Sequence, residues 1–426
     1  MGVARVEIST TILELEKSFN ERWSVGDNRG YLGNYAEEVS YFDPVLKELV
    51  VGRDKAIAHI ESIYSNPHIV RSEYLNPAVS VAAPRRFRRR EQMTDQTAAD
   101  FFGATTIRPP LDPELAPVEE AMRAAFPPVS DETLPEIRRQ VTEGLPGVEP
   151  EDLTAGGRVR VEERQVPGPE GAPDITLLIL SPVEDRGPKG GIVHIHGGGM
   201  IMGDRRAHLS NLLTHVIDGS AVVVSVEYRL APEHPDPAPV EDCYAGLVWT
   251  AKNAAELGID PERLMITGIS AGGGLAAGTA LLARDRAFPS LSHQVLICPM
   301  LDDRFETHSS RMVDRGGVWD RHSNLYGWTS LLGERRGGPE VSQYAAPARA
   351  EDLSRLPRTY IDTGSAEGFR DEILIYAGRL SEAGVSVDFH MWAGGFHGFD
   401  MTAGHAAVSR ASSATREEFV RRALEA

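Results

Sequence analysis

Hydrophobic positions at helical spacing open the chain: Ile8, Ile12, Leu15, Phe19 and Trp23 recur every three or four residues until Gly26-Asp27 breaks the pattern. A strand-like piece, Val39-Ser40-Tyr41-Phe42, follows. A second helical piece runs from Arg53 through Ala58 and Ile60 to Tyr64, and a strand is expected around Tyr74 to Val81. Residues from about 95 to 153 are helix-like with proline punctuation. There Asp112-Pro113-Glu114 reads as a cap followed by a first-turn proline. Ser130-Asp131-Glu132-Thr133 is a capping pattern ahead of Leu134, Ile137 and Val141. Two helices without a sheet bury little by themselves, so this stretch is placed as a cap over the C-terminal two thirds of the chain.

From about residue 155 apolar runs and helical stretches alternate. Strands are expected at Arg158–Val166, Asp174–Leu180, Gly191–Ile195, Ala221–Val226, Arg263–Thr267, His293–Cys298, Arg358–Asp362 and Val385–Trp392. Helices are expected around Pro239–Leu257, Ala271–Arg284, Asp371–Ala383 and Ala406–Arg422. The turn-rich Gly168-Pro169-Glu170-Gly171 suits a hairpin between the first two strands. The later strands are β-branched and read as buried, which suits a parallel sheet with crossover helices. The expected architecture is α/β: an eight-stranded, mostly parallel sheet of the α/β-hydrolase type over residues 154–426, a helical cap at 95–153, a basic linker at 84–94 and a small α+β region at 1–83.

Composition narrows the role. The chain has 426 residues, 41% hydrophobic and 25% charged, which is ordinary for a globular protein. Lys plus Arg number 44 and Asp plus Glu 62, a formal net charge of −18 that disfavours nucleic-acid or anionic-membrane partners. Pro84-Arg85-Arg86-Phe87-Arg88-Arg89-Arg90 is read as a solvated linker, because nothing nearby supplies a nucleic-acid fold. Cys243 and Cys298 are read as small core residues, with no disulfide framework or thiolate metal site. Met1 to Lys17 contains acids and no long apolar block, and no run reaches the ~18 apolar residues of a membrane span. No signal peptide is expected, and the expected location is cytoplasmic.

The chemistry sits in two glycine-rich stretches. His196-Gly197-Gly198-Gly199 directly follows the apolar run Ile192-Val193-His194-Ile195. Gly268-Ile269-Ser270-Ala271-Gly272 follows Leu264-Met265-Ile266 and opens a run of small residues. A serine on a sharp strand-to-helix turn needs glycine on both sides, and a glycine loop can turn backbone N–H groups toward the same point. Ser270 is the expected nucleophile, with Gly198, Gly199 and Ala271 as the amide donors of an oxyanion hole. The proton must go to a base late in the chain, and Gly394-Gly395-Phe396-His397-Gly398-Phe399 supplies His397 after the last expected strand. The orienting carboxylate should follow the penultimate strand. Glu367 lies in that loop and is chosen; Asp371 reads as a helix first-turn acid and Asp362 sits too early, at the strand end. His196 is assigned to hydrogen bonding that fixes the glycine loop.

Over residues from about 95 to 426 these motifs resemble the hormone-sensitive-lipase family of serine carboxylesterases, bacterial family IV. The resemblance rests on His196–Gly199, Gly268–Gly273, Gly395–Phe399 and Tyr228-Arg229-Leu230-Ala231-Pro232-Glu233-His234-Pro235 with Pro237-Ala238-Pro239, in family order. Arg370-Asp371-Glu372 aligns the acid loop and puts Glu367 where the family usually carries aspartate; Ile269 stands where aspartate or threonine is common. The resemblance implies two-step acyl transfer on short-chain esters without metal or organic cofactor. It also implies a cap that walls the acyl pocket, and self-association as a dimer or higher. Phe101, Phe102, Met200, Trp319, Tyr326 and Trp328 are candidates for that wall. A non-catalytic binding protein of the same fold is the competing reading, disfavoured by the presence of His397.

The N-terminal region resembles the first half of a SnoaL-like cone fold, on Phe19-Asn20-Glu21-Arg22-Trp23, Tyr41-Phe42-Asp43-Pro44 and Val51-Gly52-Arg53-Asp54-Lys55-Ala56-Ile57. The match stops at the arginine run, so the cone is expected to be incomplete. Asp43 and His59 as isomerase acid–base groups, making the protein bifunctional, rank below an accessory role.

Overall fold

Runs of β-branched residues buried on both faces make the centre of a parallel sheet, and the computed structural model places them there. It describes residues 40–43, 48–51, 107–143, 152–184, 187–314 and 318–425. The chain divides into two units, Met1–Met93 and Thr94–Ala426.

In the first unit β1 (Ser40–Asp43) pairs antiparallel with β2 (Glu48–Val51), Ser40 opposite Val51 and Asp43 opposite Glu48. The sequence pattern pointed to β1 alone. His59, the arginine run and the helices expected here lie outside the described residues, as do Phe101 and Phe102.

The second unit is built on β3 (Val159–Val166), β4 (Ile175–Pro182), β5 (Lys189–Ile195), β6 (Ala221–Glu227), β7 (Ile259–Ile269), β8 (His293–Ile297), β9 (Arg358–Gly364) and β10 (Val387–Trp392). They form one eight-stranded sheet in the order β10-β9-β8-β7-β5-β6-β4-β3. The expected hairpin is present: β3 and β4 pair antiparallel with Val159 opposite Pro182, and β4 runs antiparallel to β6. The other pairings are parallel.

Helices cover both faces. On one side α3 (Ser210–Ile217) and the C-terminal α8 (Ala407–Glu425) pack Leu213, Val216, Phe419 and Val420 onto Ile192, Val223, Met265 and Val295. On the other, α4 (Ala238–Lys252), α5 (Ala271–Asp285) and α7 (Arg370–Glu382) set Val240, Leu247, Leu275 and Ile373 against Val193, Val224, Ile266 and Ile361. The helix expected to run to Leu257 breaks at Asn253, whose side chain donates back to the Trp249 carbonyl at 2.8 Å. Strand β5 pairs with β6 on one edge and β7 on the other, and the loops beyond the carboxyl ends around this switch point make the cleft where α/β sheets bind ligands.

Above that cleft lie α1 (Ala116–Ala125) and α2 (Leu134–Glu143). Helix α1 starts at Ala116 rather than at Pro113, because the Asp112 carboxylate accepts the Glu114 amide at 2.8 Å and holds a turn first. Before α2, Ser130 and Thr133 cap each other reciprocally, each hydroxyl accepting the other's amide, at 2.9 and 3.3 Å. Leu115 packs with Phe396, Phe399, Ala403 and Ala406, seating the cap on the loop after β10. Among the described residues no helix is long and apolar enough to cross a membrane.

Candidate active site

The turn between β7 and α5 carries Ser270 at φ 58°, ψ −121°, a conformation that a side chain adopts only under strain. Three main-chain bonds hold it there: the Ser270 amide donates to Ile297 at 2.8 Å, and its carbonyl accepts from Met300 at 2.9 Å and Gly274 at 3.1 Å. A Cβ on Gly272 would collide with the carbonyls of Ile195 and His196, so only glycine lets α5 approach the end of β5.

Facing Ser270, His397 sits in the turn after β10, 9% exposed. Its Nε2 lies 2.8 Å from Ser270 Oγ and its Nδ1 2.6 Å from Glu367 Oε2. The other Glu367 oxygen accepts from the Thr363 hydroxyl at 2.6 Å and the Gly364 amide at 2.9 Å, so a buried carboxylate is fully partnered. Phe369 presents its ring to the imidazole edge-on, with centroids 5.0 Å apart. The structure thus brings Ser270, His397 and Glu367 into one hydrogen-bonded line.

The acids set aside have other partners. Asp371, in the first turn of α7, accepts from the Ser309 amide at 2.8 Å and from Arg370 at 2.7 Å. Asp362 belongs to a buried group with Tyr360 and Arg416, where burial pushes its carboxyl up to about 6.

Beneath the glycine loop the His196 ring stacks on Tyr228, centroids 4.2 Å apart and planes 13° from parallel. Nδ1–H of His196 donates to the Gly197 carbonyl at 2.8 Å and the Tyr228 hydroxyl to the His196 carbonyl at 3.0 Å. Burial lowers the His196 imidazole to about 3, so it is neutral when it makes these contacts. The Gly198 carbonyl closes the loop by accepting from Ile201 and Met202, each at 3.0 Å. Gly199 has φ 62°, and a Cβ there would strike the Trp319 indole. Among the described residues the amides of Gly198, Gly199 and Ala271 have no protein acceptor.

Ser270 and His397 open onto a cavity of about 360 Å³. Gly198 and Gly199 line it with Met202, Val318, Trp319 and Met401 from the sheet unit and Met122, Arg123, Phe126, Val129, Ile137 and Val141 from the cap. Of the aromatic and methionine candidates for the wall, Trp319 lines it. Met200 and Trp328 are instead fully buried in the core, and Tyr326 turns away to donate to Asp131 at 2.6 Å. Cap residues such as Phe126 and Val129 were missed because they lie in the link between the helices, where no periodicity marks a facing side.

One trio among the described residues has donor atoms close enough for a metal ion: Cys298, Glu367 and His397, within 4.8 Å of one another. Glu367 and His397 are already joined, and burial raises the Cys298 thiol, which works against the thiolate a metal needs. Cys243 is likewise free, buried and raised.

Fold and site together define an α/β hydrolase, and a family model described as alpha/beta hydrolase fold matches residues 192–401. The chain is 34% identical over 307 residues to carboxylesterase NlhH of Mycobacterium tuberculosis, spanning 69% of this chain and 90% of that protein. It is 32% identical over 297 residues to an arylesterase of Saccharolobus solfataricus, covering 68% of this chain and 92% of that one. Among solved structures, a bacterial heroin esterase superposes with a TM-score of 0.67 at 39% identity, covering 74% of this chain and 98% of its own. The chain belongs to the esterase family of the α/β-hydrolase fold. By that kinship it is a carboxylic ester hydrolase.

Proposed function

We propose that the chain hydrolyses short- to medium-chain carboxylic esters by two-step acyl transfer, with Ser270 as nucleophile, His397 as general base and Glu367 as the orienting acid. What carries this reading is the unbroken hydrogen-bond line Glu367–His397–Ser270 at the foot of an apolar cavity. A serine hydroxyl is a weak nucleophile until a neighbour takes its proton, and His397 Nε2 stands 2.8 Å away to do so. As Oγ bonds to the ester carbon, the carbonyl π pair moves onto oxygen, where the amides of Gly198, Gly199 and Ala271 stabilise it. Collapse expels the alcohol, which takes the proton from His397 and leaves an acyl-serine. Water then gives a proton to His397 and attacks the acyl carbon. The second collapse frees the acid and returns the proton to Ser270. Glu367 keeps Nδ1 protonated throughout and stabilises the imidazolium. These residues complete the cycle without a metal or organic cofactor.

The cavity volume lies at the lower end of ligand pockets, which supports the chain-length limit. Relatives named arylesterase and heroin esterase support extending the reading to esters with an aromatic part. Residues 1–83 are assigned to a SnoaL-like accessory region, 84–94 to a linker, 95–153 to the cap and 154–426 to the catalytic domain, in a homo-oligomeric cytoplasmic enzyme. The test is release of p-nitrophenol from p-nitrophenyl acetate and butyrate. The wild type should hydrolyse both, and Ser270→Ala should lose about 10⁶-fold in turnover. A wild type no faster than Ser270→Ala rules the reading out.

A further inference from the structure

Behind the site a single arginine ties together the ends of the elements that carry it. Arg416 projects from α8 and is 5% exposed. Its Nη2 donates to Asp400 at 2.6 Å and its Nη1 to Asp362 at 3.4 Å. Asp400 belongs to the short turn Phe399–Thr402, directly beyond His397. Asp362 lies in β9, at the base of the loop that carries Glu367, and accepts the Tyr360 hydroxyl at 2.9 Å. The Asp362 carbonyl and carboxylate also receive the Cys298 amide, at 3.1 and 3.3 Å. Cys298 follows Ile297, whose carbonyl holds the Ser270 amide. One guanidinium therefore stands behind the acid loop, the histidine loop and the strand end that anchors the serine.

None of Arg416, Asp362 and Asp400 lines the substrate cavity. An apolar trio of the same volume would fill this space at lower desolvation cost, since burying an ion costs several kcal/mol. What a planar fork supplies instead is direction, because its donors fix where two carboxylates stand relative to one another. The acid and histidine loops are joined on their other side by short bonds: the Ala366 amide donates to the Gly395 carbonyl at 2.9 Å, the Ser365 amide to the Trp392 carbonyl at 2.8 Å and the Gly394 amide to the Ser365 hydroxyl at 2.8 Å. We propose that Arg416 is a positioning residue for ester hydrolysis: by bridging Asp362 and Asp400 it locks the Glu367 and His397 loops together and keeps the imidazole in line with Ser270. This rests on the acyl-transfer reading of the site.

The test compares Arg416→Met, Arg416→Lys and Asp400→Asn with wild type on p-nitrophenyl butyrate. Rates are taken per competent serine, counted from the p-nitrophenol released stoichiometrically by diethyl p-nitrophenyl phosphate. A displacement near 1 Å costs about 10²-fold in rate, so Arg416→Met should lower kcat per titrated site by about ten- to a hundredfold while KM moves less than threefold. Arg416→Lys should recover part of that loss, because the ammonium keeps the charge without the fork, and Asp400→Asn should fall between. If Arg416→Met does not fold, the other two variants carry the comparison. Variants with fewer titratable sites or a lower Tm, but wild-type kcat per site, would make Arg416 a scaffold residue and overturn the proposal. An inactive wild type overturns the acyl-transfer reading together with this one; an active wild type with unaffected variants overturns this one alone.

Discussion

The floor and the roof of the cavity are held by different means. The floor is held mainly by main chain: three backbone bonds fix Ser270, an amide and the Thr363 hydroxyl fix Glu367, the glycine loop closes on its own carbonyl, and Arg416 braces the loops from behind. The roof, residues 107–143, is fastened by arginine side chains. Arg108 donates to the Ala366 carbonyl at 2.7 Å while its guanidinium is paired with Glu119 at 2.6 Å. Arg138 donates to the carbonyls of Ile201 and Ala231 at 2.6 and 2.8 Å and pairs with Glu233 at 2.7 Å. A backbone lattice admits few residue types at each position, whereas clamped helices can be refaced without disturbing their anchors. The difference ties the type of reaction to the floor and the choice of ester to the roof.

The largest effects should come from the floor. Glu367→Gln keeps the volume but no longer favours the Nδ1–H tautomer, so turnover should fall by about 10³–10⁴-fold with the fold retained. Asp371→Asn should leave turnover near wild type and cost stability instead, about 1–2 kcal/mol for the Ser309 and Arg370 contacts it weakens. Reversal of that order in kcat measurements would move the acid to Asp371. Next in size is Gly199→Ala, whose Cβ would meet the Trp319 indole at a backbone φ of 62°. Displacing an amide donor there should lower kcat by about 10²–10³-fold on acetyl and butyryl esters alike.

The same contrast explains what the sequence makes legible. The central strands are marked by aliphatic runs such as Ile192-Val193, Val222-Val223-Val224 and Val295-Leu296-Ile297, and the floor by glycines clustered at two strand ends. The order serine, acid, histidine then follows from strand order. The roof leaves weaker traces. Trp319 alone of the wall candidates that the structure describes lines the cavity, because the face a link residue presents depends on the partner it meets. Helix α6 (Arg321–Leu332) also escapes the pattern, since buried Arg321, Ser323 and Asn324 precede buried Trp328 and Leu331 and leave no clean apolar stripe. The Arg416 group is invisible for a related reason: Asp362 lies 54 residues before Arg416, and only folding sets it beside Arg416 and Asp400.

Acid should weaken the floor before the roof, which contains no histidine among residues 107–143. His194 and His196 are 1% and 0% exposed, and burial lowers both to about 3. Their folded values lie below the ordinary value near 6.5, so the unfolded chain binds more protons and stability drains away as pH falls from about 6.5 toward 3. Between pH 7 and pH 5 each histidine should withdraw about 2 kcal/mol. Asp362 and Glu372, both raised by burial, have the opposite sign: the folded state takes their protons first and returns part of that loss, while His208, lowered by burial to about 4, adds to it. The net is a lower Tm at pH 5 than at pH 7. His196→Asn should flatten that slope, and a Tm independent of pH across this range would show that the buried imidazoles are not held neutral.

The smallest effect should come from the roof's own fastening. The Arg138–Glu233 pair is partly exposed, with side chains 26% and 55% accessible, and a pair of that kind is worth only about 0–1 kcal/mol. The two carbonyls that Arg138 also satisfies matter more, because both belong to segments behind the cavity, Ile201 past the glycine loop and Ala231 past β6. Arg138→Met keeps the aliphatic stem and removes all four donor contacts, so α2 should stay packed through Leu134 and Ile137 but lose its registration on those segments. Ile137 and Val141 would then wall the cavity less tightly. KM for bulky aromatic esters should rise by a few-fold, within the about 1–3 kcal/mol that one hydrophobic contact can discriminate, while kcat for the acetyl ester stays at wild type. An equal loss of kcat on both substrates would mean that the clamp reaches into the floor, and that floor and roof are one mechanical body.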